Sequence, residues 1–412
     1  MTALLPPFRA AGRSRPIALV VPGSTLAEVR APYAAVTGPT AGGGASIELA
    51  SGGDRLVARY DGRAAWLEVT TGGRRTVHRS RRHGRPDGPV RELGLTLTGT
   101  HLTVLTRGPE PWTARSRVDL AGRVDTRSEA WLSGLRSDAP VAGRFGQLGL
   151  RDLRVVTGGP PGRVLLSATS AGPGFFDTAH ASVWELDLAT LGLTHLSDLF
   201  FRRPDRPGAY GDHATHLVRD GDAWLVATST WGDFDPKRPA VGVTLARSTA
   251  DLLQGVHLLD TEPLPLPVDG LGSVGTWDPQ LVRTDDGWLV GFVSATEFFR
   301  FHPAVAAGPS LDALTLRGAA TDLGQTEGTT LAHLGGEWRV LASDGDARRY
   351  PVFDLAMRET GTLDAPYGSN IPWPTLVRDG DGWLLVGFDG STAGGPVTGY
   401  GTHGDVVLAR SV

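Results

Sequence analysis

Three stretches of this chain are nearly superimposable: His216-LVRDGDAWLVATST, Gln280-LVRTDDGWLVGFVSA and Thr375-LVRDGDGWLLVGFDG. Each reads as an apolar strand, an Asp/Gly turn, and a second apolar strand opened by Trp, which is a β-hairpin signature. Thr330-LAHLGGEWRVLASDG is a fourth copy, and Leu153-RVVTGGPPGRVLLSATS is a weaker fifth with Arg163 in place of the Trp. Aligned on Arg163, Trp224, Trp288, Trp338 and Trp383, the copies step by 61, 64, 50 and 45 residues. Repeats of this size, filled with short strands and Gly/Pro-rich loops, predict an all-β fold of propeller blades. The expected architecture is an N-terminal β-sandwich-like domain over residues 1–140 followed by a five-bladed β-propeller over residues 141–412. A third strand follows the hairpins, and the last copy stops after it at the C-terminus. A fourth strand must then come from earlier in the chain, and residues 124–146 are the expected donor, because a propeller closes by removing its open edge.

Residues 15–140 carry short alternating segments with Gly turns, among them Arg55-LVARYDG and His101-LTVLTRG. They predict the sandwich, and the pattern resembles concanavalin A-like or laminin-G-like modules. The resemblance implies glycan binding; packing against the propeller or closing it is the alternative.

Composition narrows the function classes. The chain has no cysteine, so disulfides and thiolate metal sites are excluded. Its net charge is −4, and its one Arg-rich stretch, residues 74–85, reads as a solvated loop, so nucleic acid is not an expected partner. No apolar run approaches 18 residues, and the first residues lack signal-peptide features. No membrane partner is expected, and a cytoplasmic location is. Nucleotide and serine-nucleophile fingerprints are missing from the required strand-to-helix context. The Asp220-Gly-Asp222 and Asp379-Gly-Asp381 runs lack the remaining ligands of a calcium loop and read as hairpin turns. No cofactor is expected, beyond an ion on the axis held by His213 and water.

In a propeller, the innermost strands start around the axis, and the loops joining second to third strands return to the same face. Asp152, Asp278 and Glu327 stand at inner-strand starts, with Asp212, His213, Trp277 and Trp373 beside them in the corresponding segments. Asp152 and Asp278 share one register, Glu327 and His213 fall one residue earlier, and Asp212 one earlier still. Carboxylates converging on one pocket raise at least one pKa, which yields an acid and a base from one residue type. The loops of that face add Phe175, Phe176, Asp177, Trp231, Asp233, Glu297, Phe298, Phe299, Arg300, Asp346, Arg348, Arg349, Tyr350, Tyr400 and His403, residue types suited to stacking on sugars and binding hydroxyls. Substrate binding is expected from Asp212, His213, Trp231, Trp277, Glu297, Arg349 and Trp373.

Trp277-Asp-Pro followed one blade later by Glu327-Gly resembles the five-bladed glycosidases of glycoside hydrolase family 43 and its relatives. The resemblance covers roughly residues 148–412. It implies an inverting or retaining hydrolase acting on furanosides or related sugars, with Asp152 as general base, Glu327 as general acid and Asp278 as the carboxylate that tunes the acid. Three positions depart from the family pattern: Thr329 replaces a Pro, Leu153 follows Asp152 where Pro is usual, and the intervening blade offers Asp212-His213, so the tuning role could belong to Asp212. A glycoside hydrolase-like enzyme with a saccharide substrate is the main expectation. A non-hydrolytic tailoring enzyme or lyase, and a non-catalytic glycan-binding propeller, are the alternatives.

Overall fold

The computed structural model describes residues 5–40, 43–109, 111–392 and 403–412, with only the backbone at residues 391, 392 and 403. Each repeated hairpin forms the inner half of a blade, and the reason for its Trp is local. Arg219 and Trp224, Arg283 and Trp288, and Arg378 and Trp383 are cross-strand partners. Their guanidinium groups lie 4.9, 5.1 and 4.0 Å from the ring centres. In the fourth copy His333 takes the arginine's place, 5.2 Å from Trp338. A cation on an aromatic face across a strand pair stabilises the hairpin and fixes its register. The weaker copy replaces this pair with an ion pair between Arg163 and Glu185.

The blades follow in chain order. Blade 1 comprises Leu150–Val155, Val164–Ser170, His180–Leu186 and Leu193–Arg203, extended by Arg206–Tyr210 and Gly255–Asp260. Blade 2 comprises His213–Asp220, Ala223–Ser229, Val243–Ser248 and Glu262–Pro263. Blade 3 comprises Gly275–Thr284, Gly287–Glu297, Arg300–Gly308 and Thr315–Ala319. Blade 4 comprises Thr326–Leu334, Glu337–Asp344, Tyr350–Phe353 and Glu359–Leu363. Blade 5 comprises Thr375–Asp379, Gly382–Thr392 and His403–Ser411, completed by Phe8–Ser14.

The core is divided between these blades. Leu217 and Trp224 pack on Leu165 and Val183 of blade 1, Leu281 and Phe292 on Leu225 and Ala227 of blade 2, and Val340 and Phe353 on Leu289 and Val305 of blade 3. Phe8 and Leu385 pack on Leu341 and Val352 of blade 4. Val386 and Leu408 then meet Leu153 and Leu166 of blade 1, which closes the ring.

The closing strand is Phe8–Ser14, antiparallel to His403–Ser411, with Phe8 opposite Ser411 and Ser14 opposite Val406. This corrects the expectation that residues 124–146 supply it. Those residues instead hold the short helix Glu129–Ser133 and the strand Val141–Gln147, which pairs with Tyr33–Pro39 and Ala18–Val20. The physical reason is burial: Phe8 is fully enclosed between blades 4 and 5. Strand pairing thus crosses residue 140 in both directions.

Between these segments lie two antiparallel sheets, six- and four-stranded, that enclose a shared core including Val36, Leu49, Leu56, Leu67 and Leu95. This two-sheet unit leans on blades 1 and 2. Tyr33 donates a 2.7 Å hydrogen bond to the carbonyl of Ala179, Arg144 pairs with Asp198, and Arg127 donates to the carbonyl of Gly232 at 2.9 Å. It therefore braces the loops around residues 175–180 and 231–233. Among the described residues no helix is long and apolar enough to cross a membrane.

Candidate active site

The acids owe their direction to a bulge repeated near the start of four inner strands. The strand register shifts between Arg151 and Arg154, His213 and His216, Trp277 and Gln280, and Glu327 and Thr330. The residue inside each shift is left-handed: Asp152 at φ 53°, Ala214 at 55°, Asp278 at 56° and Gly328 at 69°. Asp tolerates this conformation better than most side chains, and a bulge re-aims the residues it holds. In blade 4 the acid cannot occupy the same position. A Cβ on Gly328 would lie 2.5 Å from Cδ1 of Trp373, so Gly is required there and the carboxylate comes one residue earlier, at Glu327. Gly328→Ala is expected to cost about 2–4 kcal/mol, from the left-handed backbone and the clash together, read as a lower urea midpoint with an unchanged slope.

The three acids share a cavity of about 190 Å³ whose lining also includes His213, Trp231, Trp277, Gln325, Asn370 and Trp373. Asp152 and Asp278 are 2% and 3% exposed. Oδ1 of Asp152 and Oδ2 of Asp278 have no hydrogen-bond partner among the described residues, and none of the three acids forms a salt bridge there. Burial, reinforced by Asp152, pushes Glu327 up to about 8 against the pull of Arg151, the Trp373 indole and Arg154. Burial, then Glu327 and Asp152, holds Asp278 well above the carboxylate range, opposed by Arg154 and the backbone N–H of Gly328. Desolvation and like charge thus act in the same direction on both groups.

Arg154 supplies the buried counter-charge. Its guanidinium donates to the carbonyls of Asp278 at 2.8 Å and Thr329 at 3.0 Å, and stacks 4.3 Å from the Trp373 ring centre. Burial brings it down to about 10, so it stays charged at neutral pH. Burial brings His213 down to about 4, so it is uncharged at neutral pH. Its Nδ1–H donates to the carbonyl of Gly211 at 3.1 Å, which leaves Nε2 as an acceptor.

Seven of the expected site residues therefore meet in one cavity: Asp152, Asp278, Glu327, His213, Trp231, Trp277 and Trp373. Three do not, and each corrects the reading of its segment. Asp212 is fully buried behind the cavity, where it accepts from both Nε (2.8 Å) and Nη2 of Arg203 and from the Gly232 backbone at 3.0 Å. It anchors the Trp231 loop and does not line the cavity that holds Glu327. Asp212→Ala would remove two of the bonds of the buried Arg203 guanidinium and leave it Asp233 as its carboxylate partner; it is expected to cost about 1.5–3 kcal/mol, read as a lower Tm. Glu297 sits at the exposed tip of a hairpin opposite Arg300. Arg349 is turned outward to Asp344 and to Glu359, which it meets at 2.9 Å. Tyr400 lies outside the described residues, as does the side chain of His403.

Sequence reasoning missed Gln325, Phe301, Asn370 and Ile371, which line the cavity, and Arg154. Arg154 did leave a signal, a charge at an inward position of an apolar strand. Asn370 and Ile371 are both left-handed, at φ 61° and 54°, a conformation that a β-branched residue does not announce. Among the described residues no cluster of three or more His, Asp or Glu side chains is placed to hold a metal ion.

No protein-family model matches the chain, and no curated protein does. Among solved structures, it is similar to the GH43_1 enzyme from Xanthomonas citri complexed with xylotriose, at 14% identity, over 63% of this chain and 87% of that one, with a TM-score of 0.46. It is similar to a family 117 glycoside hydrolase from Zobellia galactanivorans at 10% identity, over 64% and 84%, with a TM-score of 0.48. A GH43 β-xylosidase/α-arabinofuranosidase from a compost microbial metagenome matches at 12% identity, over 63% and 90%, with a TM-score of 0.42.

Proposed function

We propose that the protein is a glycoside hydrolase that works through a carboxylate acid/base pair at the propeller axis. The observation that carries this reading is the pairing of Glu327, pushed up to about 8, with Asp152 in one small cavity. A carboxylic acid that keeps its proton at neutral pH is suited to protonating a leaving oxygen. Glu327 gives its proton to the glycosidic oxygen as the bond from that oxygen to the anomeric carbon breaks. Asp152 takes a proton from the water that forms the new bond if the reaction inverts configuration. If it retains configuration, a carboxylate attacks first and water follows. A separation of about 6.5–9.5 Å between the acting carboxyls goes with inversion, and about 5–5.5 Å with retention. Asp278 is the tuning group: it lines the same cavity as Glu327, and burial, Glu327 and Asp152 hold its carboxyl well above the usual carboxylate range. The N-terminal unit braces the cavity's loops from behind.

The cavity is smaller than the roughly 300–1,000 Å³ of pockets for drug-sized ligands, which suits one sugar ring and its leaving group. A panel of aryl furanosides and pyranosides, followed by NMR of the first-formed anomer, tests the reading. Turnover of at least one member is expected. Saturable sugar binding without turnover of any would assign the cavity to glycan recognition instead.

A further inference from the structure

The cavity is chemically two-sided. Its floor carries the acids and His213. Its wall over blades 1 to 3 is a continuous run of aromatic rings. Phe175 and Phe176 stand 4.3 Å apart between centroids, Phe176 and Trp231 4.5 Å, and Trp231 and Trp277 5.3 Å. Trp277 stacks on Phe298 at 6.0 Å with planes 28° apart. Phe175 and Phe299, 36% and 51% exposed, are the only exposed Phe or Trp side chains among the described residues, and both line this cavity. Exposed apolar surface concentrated at one mouth marks a site of contact rather than chance.

The wall is tied to the acid. The Phe301 N–H donates to the Gly324 carbonyl at 2.8 Å, and the Gln325 amide donates to the Phe299 carbonyl. These bonds hold the blade 3 hairpin tip to the start of the strand that carries Glu327, two residues further on. The leaving group of a glycoside lies next to the residue that protonates it, so here it would rest against the rings at 298, 299 and 301. A second sugar in that place would need partners for its hydroxyls, and unpaired polar groups cost affinity. The rings at 298, 299 and 301 offer hydrocarbon faces, which can stack on a sugar ring but leave its hydroxyls unpaired.

We propose that the substrate is a glycoside of a flat apolar aglycone, an aryl or similarly conjugated group seated against Phe298 and Phe299, rather than an oligosaccharide. This rests on the hydrolase reading only for which end of the substrate faces the wall. The test is calorimetric binding to the Glu327→Gln protein, which separates affinity from turnover, using 4-nitrophenyl and methyl glycosides of the same sugars and the corresponding disaccharides. The 4-nitrophenyl compound is expected to bind about tenfold or more tightly than its methyl partner, from burial of the ring. Phe299→Ala in the same background is expected to bring the ratio within about threefold. Equal affinities, binding by no pair, a disaccharide that matches the aryl glycoside, or a ratio that survives Phe299→Ala would each overturn the inference. Turnover of the panel by the unmodified enzyme is scored separately: a binding preference without turnover counts against the hydrolase reading alone, and turnover with equal affinities counts against the aglycone alone.

Discussion

Glu327→Gln is expected to lower kcat on unactivated glycosides by about 10²–10⁴-fold, the usual range for loss of a general acid, while the protein stays folded. Gln is nearly isosteric with the protonated acid that burial and Asp152 favour, so the neighbouring contacts survive. Glycosides whose leaving group needs no proton should lose much less, because the step that Glu327 serves is bypassed. The same substitution carries a stability signature of opposite sign. The Glu327 carboxyl titrates near 8 in the folded protein against an ordinary 4.5. Between those values the folded chain holds a proton that the unfolded chain has released, so stability falls as pH rises through the window. Gln does not titrate, so the Tm of Glu327→Gln should gain on that of the unsubstituted protein between pH 5 and pH 8. A gap that stays constant with pH would contradict the placement of this acid.

Removing residues 1–15 is expected to abolish the cooperative fold of the propeller. The strand Phe8–Ser14 satisfies the outer edge of His403–Ser411, and an unpaired edge of that length invites association with other chains. Loss of Phe8 alone empties a fully buried site between two blades, worth about 3–5 kcal/mol, a large part of a typical domain's stability. The truncated chain should aggregate or melt without a cooperative transition in differential scanning calorimetry. A two-state melt near that of the full chain would mean that the ring closes some other way.

The repeat was legible because its signal is local. A strand pair, an Asp/Gly turn and an Arg/His–Trp cross-strand contact all fall within about 15 residues, so each copy can be recognised alone. The register of the acids was legible for the same reason: turn length fixes the pairing, and pairing places Asp152 and Asp278 at equivalent bulges. The closing strand was not. Phe8–Ser14 carries one buried anchor on an otherwise exposed or half-buried segment, and its partner lies some 400 residues away. Long-range ion pairs were equally hidden. Asp212 stands at a strand start like the other acids, but Arg203 takes it out of the cavity, and Arg349 is claimed by Glu359. Spacing shows where a charge begins, and only packing shows what neutralises it.

The pH dependence of kcat/KM on a substrate whose leaving group needs a proton, measured for the unsubstituted enzyme and for Glu327→Gln, tests the acid/base account most directly. The acid must be protonated to act, so the account predicts a fall on the alkaline side with an apparent pKa near 8, and the loss of that limb from the residual activity of the variant. A profile that stays flat through pH 9, or an alkaline limb that persists unchanged in Glu327→Gln, would contradict it.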